Sequence, residues 1–153
     1  MNTELMFSSK TEMWSTPDDF FKTLDKEFNF TLDPCATKEN AKCSKYYTEE
    51  QDGLQKSWKN ERVFCNPPYG RKMYKWIEKC KLESDSGALV VMLIPARTDT
   101  IAFHKYIYHV ATEIRFVKGR LKFGNSKNSA PFPSMVVVFG NIIEKTDEKR
   151  NNN

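Results

Sequence analysis

Ala88-Leu89-Val90-Val91-Met92-Leu93-Ile94 is an unbroken apolar run closed by Pro95. A half-exposed strand would alternate polar and apolar residues, so a short run without alternation reads as a central strand covered on both faces. That requirement commits the chain to an α/β layer with helices packed above and below a sheet. A second, shorter run, Arg62-Val63-Phe64-Cys65, reads as another buried strand and is followed directly by Asn66-Pro67-Pro68-Tyr69-Gly70. In α/β proteins the carboxyl ends of such strands are where ligands bind.

The rest of the chain supplies the alternation that the layer needs. Thr16-Pro17-Asp18-Asp19 reads as a helix start, with Thr16 as N-cap, Pro17 at the first position and Asp19 at the positive end of the dipole. Phe20, Phe21, Leu24 and Phe28 form the apolar face of that helix. A strand is expected over 28–33, ended by Pro34, and a short strand or turn near Tyr46-Tyr47. A helix over 71–82 presents Met73, Trp76, Ile77 and Cys80. Another, capped by Thr98 or Asp99, presents Ala102, Phe103, Tyr106, Ile107 and Val110. Strands follow at 113–117 and 134–139. The segment between them, Gly119 to Pro133, is too short for a crossover helix and rich in turn-formers, so the last two strands should pair antiparallel.

A length of 153 residues fits one domain and leaves target recognition to loops, and a net charge of +4 mildly favours a polyanionic partner. No signal-peptide core and no long apolar run is present, which predicts a soluble, cytoplasmic chain without a membrane partner. The four cysteines, Cys35, Cys43, Cys65 and Cys80, form no C-x-x-C pair and have no histidine at zinc-ligand spacing. Reduced, mostly buried thiols and no metal site are expected. His104 and His109 fall on different faces of their helix.

The chemistry concentrates at 66–70. Two prolines fix φ and carry no N–H, leaving rigid carbonyls beside the Asn66 amide and the Tyr69 ring. A planar amino group such as adenine N6 can donate one hydrogen to the Asn66 side-chain oxygen and the other to the Pro67 carbonyl, while Tyr69 covers the ring. The plainer alternative is a strand-ending turn. Asp33, after the expected strand, could bind an ammonium group or be an Asx-turn residue before Pro34. Asp52-Gly53 could place an acceptor for an adenine amino group or form a surface turn.

Asn-Pro-Pro-Tyr resembles the catalytic motif of S-adenosylmethionine-dependent amino-group methyltransferases acting on adenine, cytosine N4 or glutamine amides. The ordered blocks Trp14-Ser15-Thr16-Pro17, Leu32-Asp33-Pro34-Cys35-Ala36, Glu39-Asn40-Ala41-Lys42-Cys43, Asp52-Gly53-Leu54, Asn66 to Arg71, Pro95 to Thr100 and Gly119 to Gly124 are similar to the phage-type DNA N6-adenine methyltransferase (Dam-type) family, over about residues 12 to 140. The resemblance implies a Rossmann-like methyltransferase sheet ending in an antiparallel hairpin, in a minimal single domain at 13–142, while the polar, unpatterned start and the charged, apolar-poor end predict a flexible N-terminus, 1–12, and a disordered tail, 143–153.

It further implies a phage or prophage enzyme that uses S-adenosyl-L-methionine to methylate a flipped adenine in double-stranded DNA. An RNA adenine or protein-glutamine methyltransferase with the same clamp is the alternative. Asn66, Pro67, Pro68 and Tyr69 become catalytic. Trp14, Thr16, Pro17, Asp33, Asn40 and Asp52 become cofactor-binding, Thr16 with helix capping as its other role. Arg71, Lys72, Arg97, Arg120 and Lys127, the cations on or nearest to the loops expected to be functional, are expected to contact DNA, with a solvated surface charge as the other reading of each. A glycine-rich loop, usual in methyltransferases at large, is replaced here by Asp33-Pro34-Cys35-Ala36.

Overall fold

The computed structural model describes residues 14–124 and 128–141; both expected loose ends and Lys127 lie outside the described residues. The elements in chain order are α1 (Asp18–Phe28), β1 (Leu32–Asp33), β2 (Lys45–Tyr46), a 3-10 turn (Gly53–Gln55), β3 (Arg62–Cys65), α2 (Met73–Asp85), β4 (Leu89–Pro95), a π-helical turn (Phe103–Ile107), β5 (Glu113–Phe116) and β6 (Ser134–Phe139). They build a mixed α/β layer around a six-stranded sheet of order β2-β1-β3-β4-β6-β5. The first four strands run parallel to one another, and β6 lies antiparallel to both β4 and β5.

The apolar run at 89–95 is the centre of this sheet, paired to β3 on one side and β6 on the other. Its residues from Val90 to Pro95 are buried, as are all six of β6. On β3, Phe64 meets Phe21 of α1 edge-on at 5.1 Å between ring centroids. Cys65, the next residue and therefore on the opposite face, meets Cys80 of α2. The two helices thus cover the sheet from opposite sides, which is what an apolar strand without alternation requires.

Several expectations change at their edges. α1 starts at Asp18 with Pro17 as N-cap and no side-chain cap bond, so Thr16 does not cap it. Phe28 closes α1 instead of opening a strand: Asn29 takes a left-handed conformation and its N–H returns to the Asp25 carbonyl at 2.8 Å, leaving only Leu32–Asp33 extended. The helix after β4 is capped by Thr100, whose Oγ1 accepts the Phe103 N–H at 3.1 Å, not by Thr98 or Asp99. It then widens to a π turn, with the Tyr108 N–H on the Phe103 carbonyl at 2.8 Å. Val110, expected on the apolar face, lies beyond that turn and is exposed.

A close approach fixes the loop after β1. Trp58 is fully buried and donates its Nε1–H to the Gly53 carbonyl at 3.0 Å. A Cβ on Gly53 would overlap the Pro34 carbonyl oxygen, so only glycine lets this turn dock on the loop that follows Asp33. Among the described residues no helix is long and apolar enough to cross a membrane, and no group of three or more His, Cys, Asp or Glu side chains could hold a metal ion.

Candidate functional site

β1 lies between β2 and β3, so the chain leaves β1 to one side and returns on the other. A crevice opens at the carboxyl ends of strands arranged this way, and β1 and β3 end there in Asp33 and lead there into Asn66. A narrow cleft at this point is lined by Trp14, Ser15, Thr16, Asp33, Cys35, Asn40, Lys42, Phe64 and Asn66. Five of the residues singled out from the sequence, Trp14, Thr16, Asp33, Asn40 and Asn66, are therefore brought together from four separate segments.

The Asn66 amide has a defined orientation. Its Nδ2 donates to the Trp14 backbone carbonyl and to Thr16 Oγ1, the latter at 2.9 Å. A carbonyl oxygen only accepts, so the nitrogen must face Trp14 and the oxygen must point the other way. That oxygen, Oδ1, is buried and has no hydrogen-bond partner among the described residues. A buried acceptor left unpaired costs about 1–3 kcal/mol, which marks it as a place where a donor belongs.

Asp33 is buried, and its carboxylate accepts the Lys42 N–H at 3.0 Å and the Cys35 N–H at 3.3 Å. Burial pushes its pKa up to about 6, against the opposing pull of those two N–H groups and of the Lys42 charge. A cationic group entering the cleft would restore the charged form. Asn40 Nδ2 reaches Ser15 Oγ at 3.4 Å, tying the loop after β1 to the segment before α1. Burial also raises the thiols of Cys35, Cys43 and Cys65, Cys43 to about 12, so they stay protonated and unsuited to nucleophilic work.

Tyr69 faces a different space. Its hydroxyl donates to the Leu93 carbonyl at 3.2 Å, and its ring meets the edges of Phe123 and Phe132 at 6.2 and 5.4 Å. Burial raises its pKa well above the ordinary phenol value, so it stays neutral. It lines a broad, largely apolar groove of about 1430 Å³ between α2 and the π turn, floored by Ile94 and Met135 of the sheet and edged by Arg71, Arg97 and Lys105. Trp14 borders both the cleft and this groove. Asn66 and Tyr69 are thus joined by Pro67 and Pro68 across the boundary of the two spaces, and neither proline bond is cis.

Other residues lie elsewhere. Asp52, in a left-handed conformation, accepts the Leu54 N–H at 3.1 Å and does not line the cleft, although Gly53 beside it packs on Pro34. Pro17 is the helix N-cap. Lys72 precedes α2 and is exposed, and Arg120 is exposed on the β5–β6 loop. Ser15, Lys42 and Lys105 were missed from the sequence. Lys42 acts through its backbone N–H, which carries no residue signature, while Lys105 sits on the π turn that periodicity does not register.

The family model described as DNA N-6-adenine-methyltransferase (Dam) matches residues 4–151. A DNA N-6-adenine-methyltransferase of Escherichia phage T1 is 33% identical over 94 residues, 60% of this chain and 39% of the phage protein. The chain thus spans about two fifths of that relative's length. YfdM of Escherichia coli (strain K12), provisionally named a methyltransferase, is 39% identical over 66 residues, 38% of this chain and 71% of that protein. With the family match running over nearly the whole sequence, the chain belongs to the DNA N-6-adenine-methyltransferase (Dam) family.

Proposed function

We propose that this protein transfers a methyl group from S-adenosyl-L-methionine to the N6 amino group of an adenine in double-stranded DNA. The observation that carries the reading is the buried, unpartnered Oδ1 of Asn66, held by an amide whose nitrogen is committed elsewhere. In this reading the sheet is the Rossmann-like layer of a methyltransferase, with the cofactor cleft at the carboxyl ends of β1 and β3.

The donor set fits the cofactor's chemistry. Asp33 offers a buried carboxylate for an ammonium group, Asn40 and the Trp14 to Thr16 segment offer polar groups on the facing wall, and Asp52 stands beside the loop after β1. When bound, S-adenosylmethionine supplies an electrophilic methyl, so positioning and electrostatics carry most of the catalytic task. Asn66 Oδ1 accepts one amino hydrogen and the Pro67 carbonyl the other, which turns the nitrogen lone pair toward the cleft. Tyr69 packs against the base from the groove side. The surplus proton on the methylated nitrogen leaves to water.

An adenine must leave the duplex to reach this position, at a cost of a few kcal/mol offset by contacts in the groove. Arg71 and Arg97 on its edge, with Lys72 next to Arg71 in sequence and Arg120 on the β5–β6 loop, supply cations for the phosphates, and Lys127, outside the described residues, is proposed to join them. The test is a digest of duplex DNA after incubation with the protein and labelled S-adenosylmethionine. N6-methyladenine is expected, and Asn66→Ala should lose about 10²–10³ in rate with cofactor binding kept. Label in RNA or in protein glutamine instead, or near-normal methylation by Asn66→Ala, would overturn the reading.

A further inference from the structure

The sequence marks Thr16 as a helix cap, yet α1 begins at Asp18 with Pro17 as its N-cap. Thr16 is buried, 4% exposed, and its Oγ1 accepts from Asn66 Nδ2 at 2.9 Å across a sequence separation of 50 residues. The other acceptor of the same NH₂ group is the carbonyl of Trp14, two residues earlier. Both hydrogens of the amide are therefore taken up by one short strap, residues 14 to 16.

An asparagine amide rotates at little cost, and a flip would exchange Oδ1 for a donor that repels an amino group. With a carbonyl on one side and a hydroxyl on the other, the flipped amide would set its oxygen against the Trp14 carbonyl oxygen. We propose that Thr16 is a positioning residue for Asn66: the Trp14 carbonyl, which can only accept, selects the orientation of the amide, and the Thr16 hydroxyl takes its second hydrogen and holds it there, so that Oδ1 is presented to the acceptor amino group. This rests on the reading of Asn66 as the amino-group clamp. It gives Thr16 a task distinct from holding the cofactor, although it lines the same cleft.

The strap is itself held from the far side. The Trp14 ring meets Phe123 and Phe132 edge-on at 5.7 and 5.4 Å, and the Gly124 N–H donates to the Ser15 carbonyl at 2.8 Å. Anchoring on two sides is what a positioning element needs, because a lock on a loose segment fixes nothing.

The experiment compares Thr16→Val, which keeps shape and removes the hydroxyl, with Thr16→Ser, which keeps the hydroxyl. Thr16→Val should slow single-turnover methylation of duplex DNA about tenfold at saturating S-adenosylmethionine, with its calorimetric dissociation constant changed less than about twofold, and Thr16→Ser should restore the rate. Weaker cofactor binding with an unchanged saturated rate would overturn the proposal by making Thr16 a cofactor contact. Equal slowing in Thr16→Ser would overturn it by removing the hydroxyl from the explanation.

A readout without turnover uses the unsubstituted protein. The Asn66 side-chain NH₂ signals, assigned by their loss in Asn66→Asp, should exchange slowly with solvent deuterium. Fast exchange of both hydrogens would overturn the lock whether or not Thr16→Val folds. If Asn66→Ala methylated normally while the Asn66 NH₂ of the unsubstituted protein was protected, the clamp reading would fail and the hydrogen bonds would stand, so the two failures are distinguishable.

Discussion

Asp33 is held in a state that costs the fold stability at neutral pH. Its pKa is raised to about 6 by burial, above the unfolded value, so the protonated form is favoured by folding. The sign follows by linkage: its contribution to stability is fully present below about pH 4 and is lost as pH rises through about 6. A cationic ligand reverses that preference by favouring the carboxylate. Affinity for S-adenosylmethionine should therefore fall as pH drops from 8 to about 5, and Asp33→Asn should both weaken binding and flatten the pH dependence. Calorimetry across that range checks it, and a pH-independent affinity in the unsubstituted protein would remove Asp33 from the cofactor. The tetrapeptide proposed as the amino-group clamp could be singled out because it is contiguous, with proline rigidity and an amide written in four letters. The positioning role proposed for Thr16 could not be, because local sequence offers it a capping role, and only the folded sheet brings Asn66 from 50 positions away to the same hydroxyl.

At the scale of elements, the apolar runs at 62–65 and 88–94 and the hairpin at the end were legible because burial on both faces and a loop without helix-forming pattern leave few options. The two-residue strands were harder. β1 was read four residues too early because Phe28 and Phe30 alternate like a strand, yet Phe28 belongs to the helix face and both rings stack with their neighbours in one aromatic cluster. The π turn was unreadable, since a widened turn shifts the stripe without any marker residue. The β5–β6 loop has positive φ at Gly119 and Gly124 and carries Phe123 against both Trp14 and Tyr69. As a DNA-contacting element its charges should act through phosphate. Duplex affinity should fall steeply with salt, and Arg120→Ala should reduce the logarithmic salt slope by about one while sparing cofactor affinity. Filter binding at several salt concentrations decides this, and an unchanged slope would leave the Arg71 and Arg97 edge of the groove as the phosphate contact.

For the whole molecule, the core is continuous from α1 through the sheet to α2 and the π turn, so the cleft and the groove are openings in one packed body. Close-packed protein interiors transmit displacement instead of absorbing it. Trp14 is wall to both openings, with its backbone on the Asn66 amide and its ring on Phe123 and Phe132. A ligand that shifts this indole from one side changes the shape met by a ligand on the other. Affinities for S-adenosylmethionine and for duplex DNA should then be thermodynamically linked: each alters the other by the same factor, as any equilibrium coupling must. Titrating cofactor with and without saturating DNA, and DNA with and without saturating cofactor, should give equal ratios different from one, and Trp14→Ala should bring both ratios toward one. A single indole would then serve as the point through which the protein senses that both of its substrates have arrived.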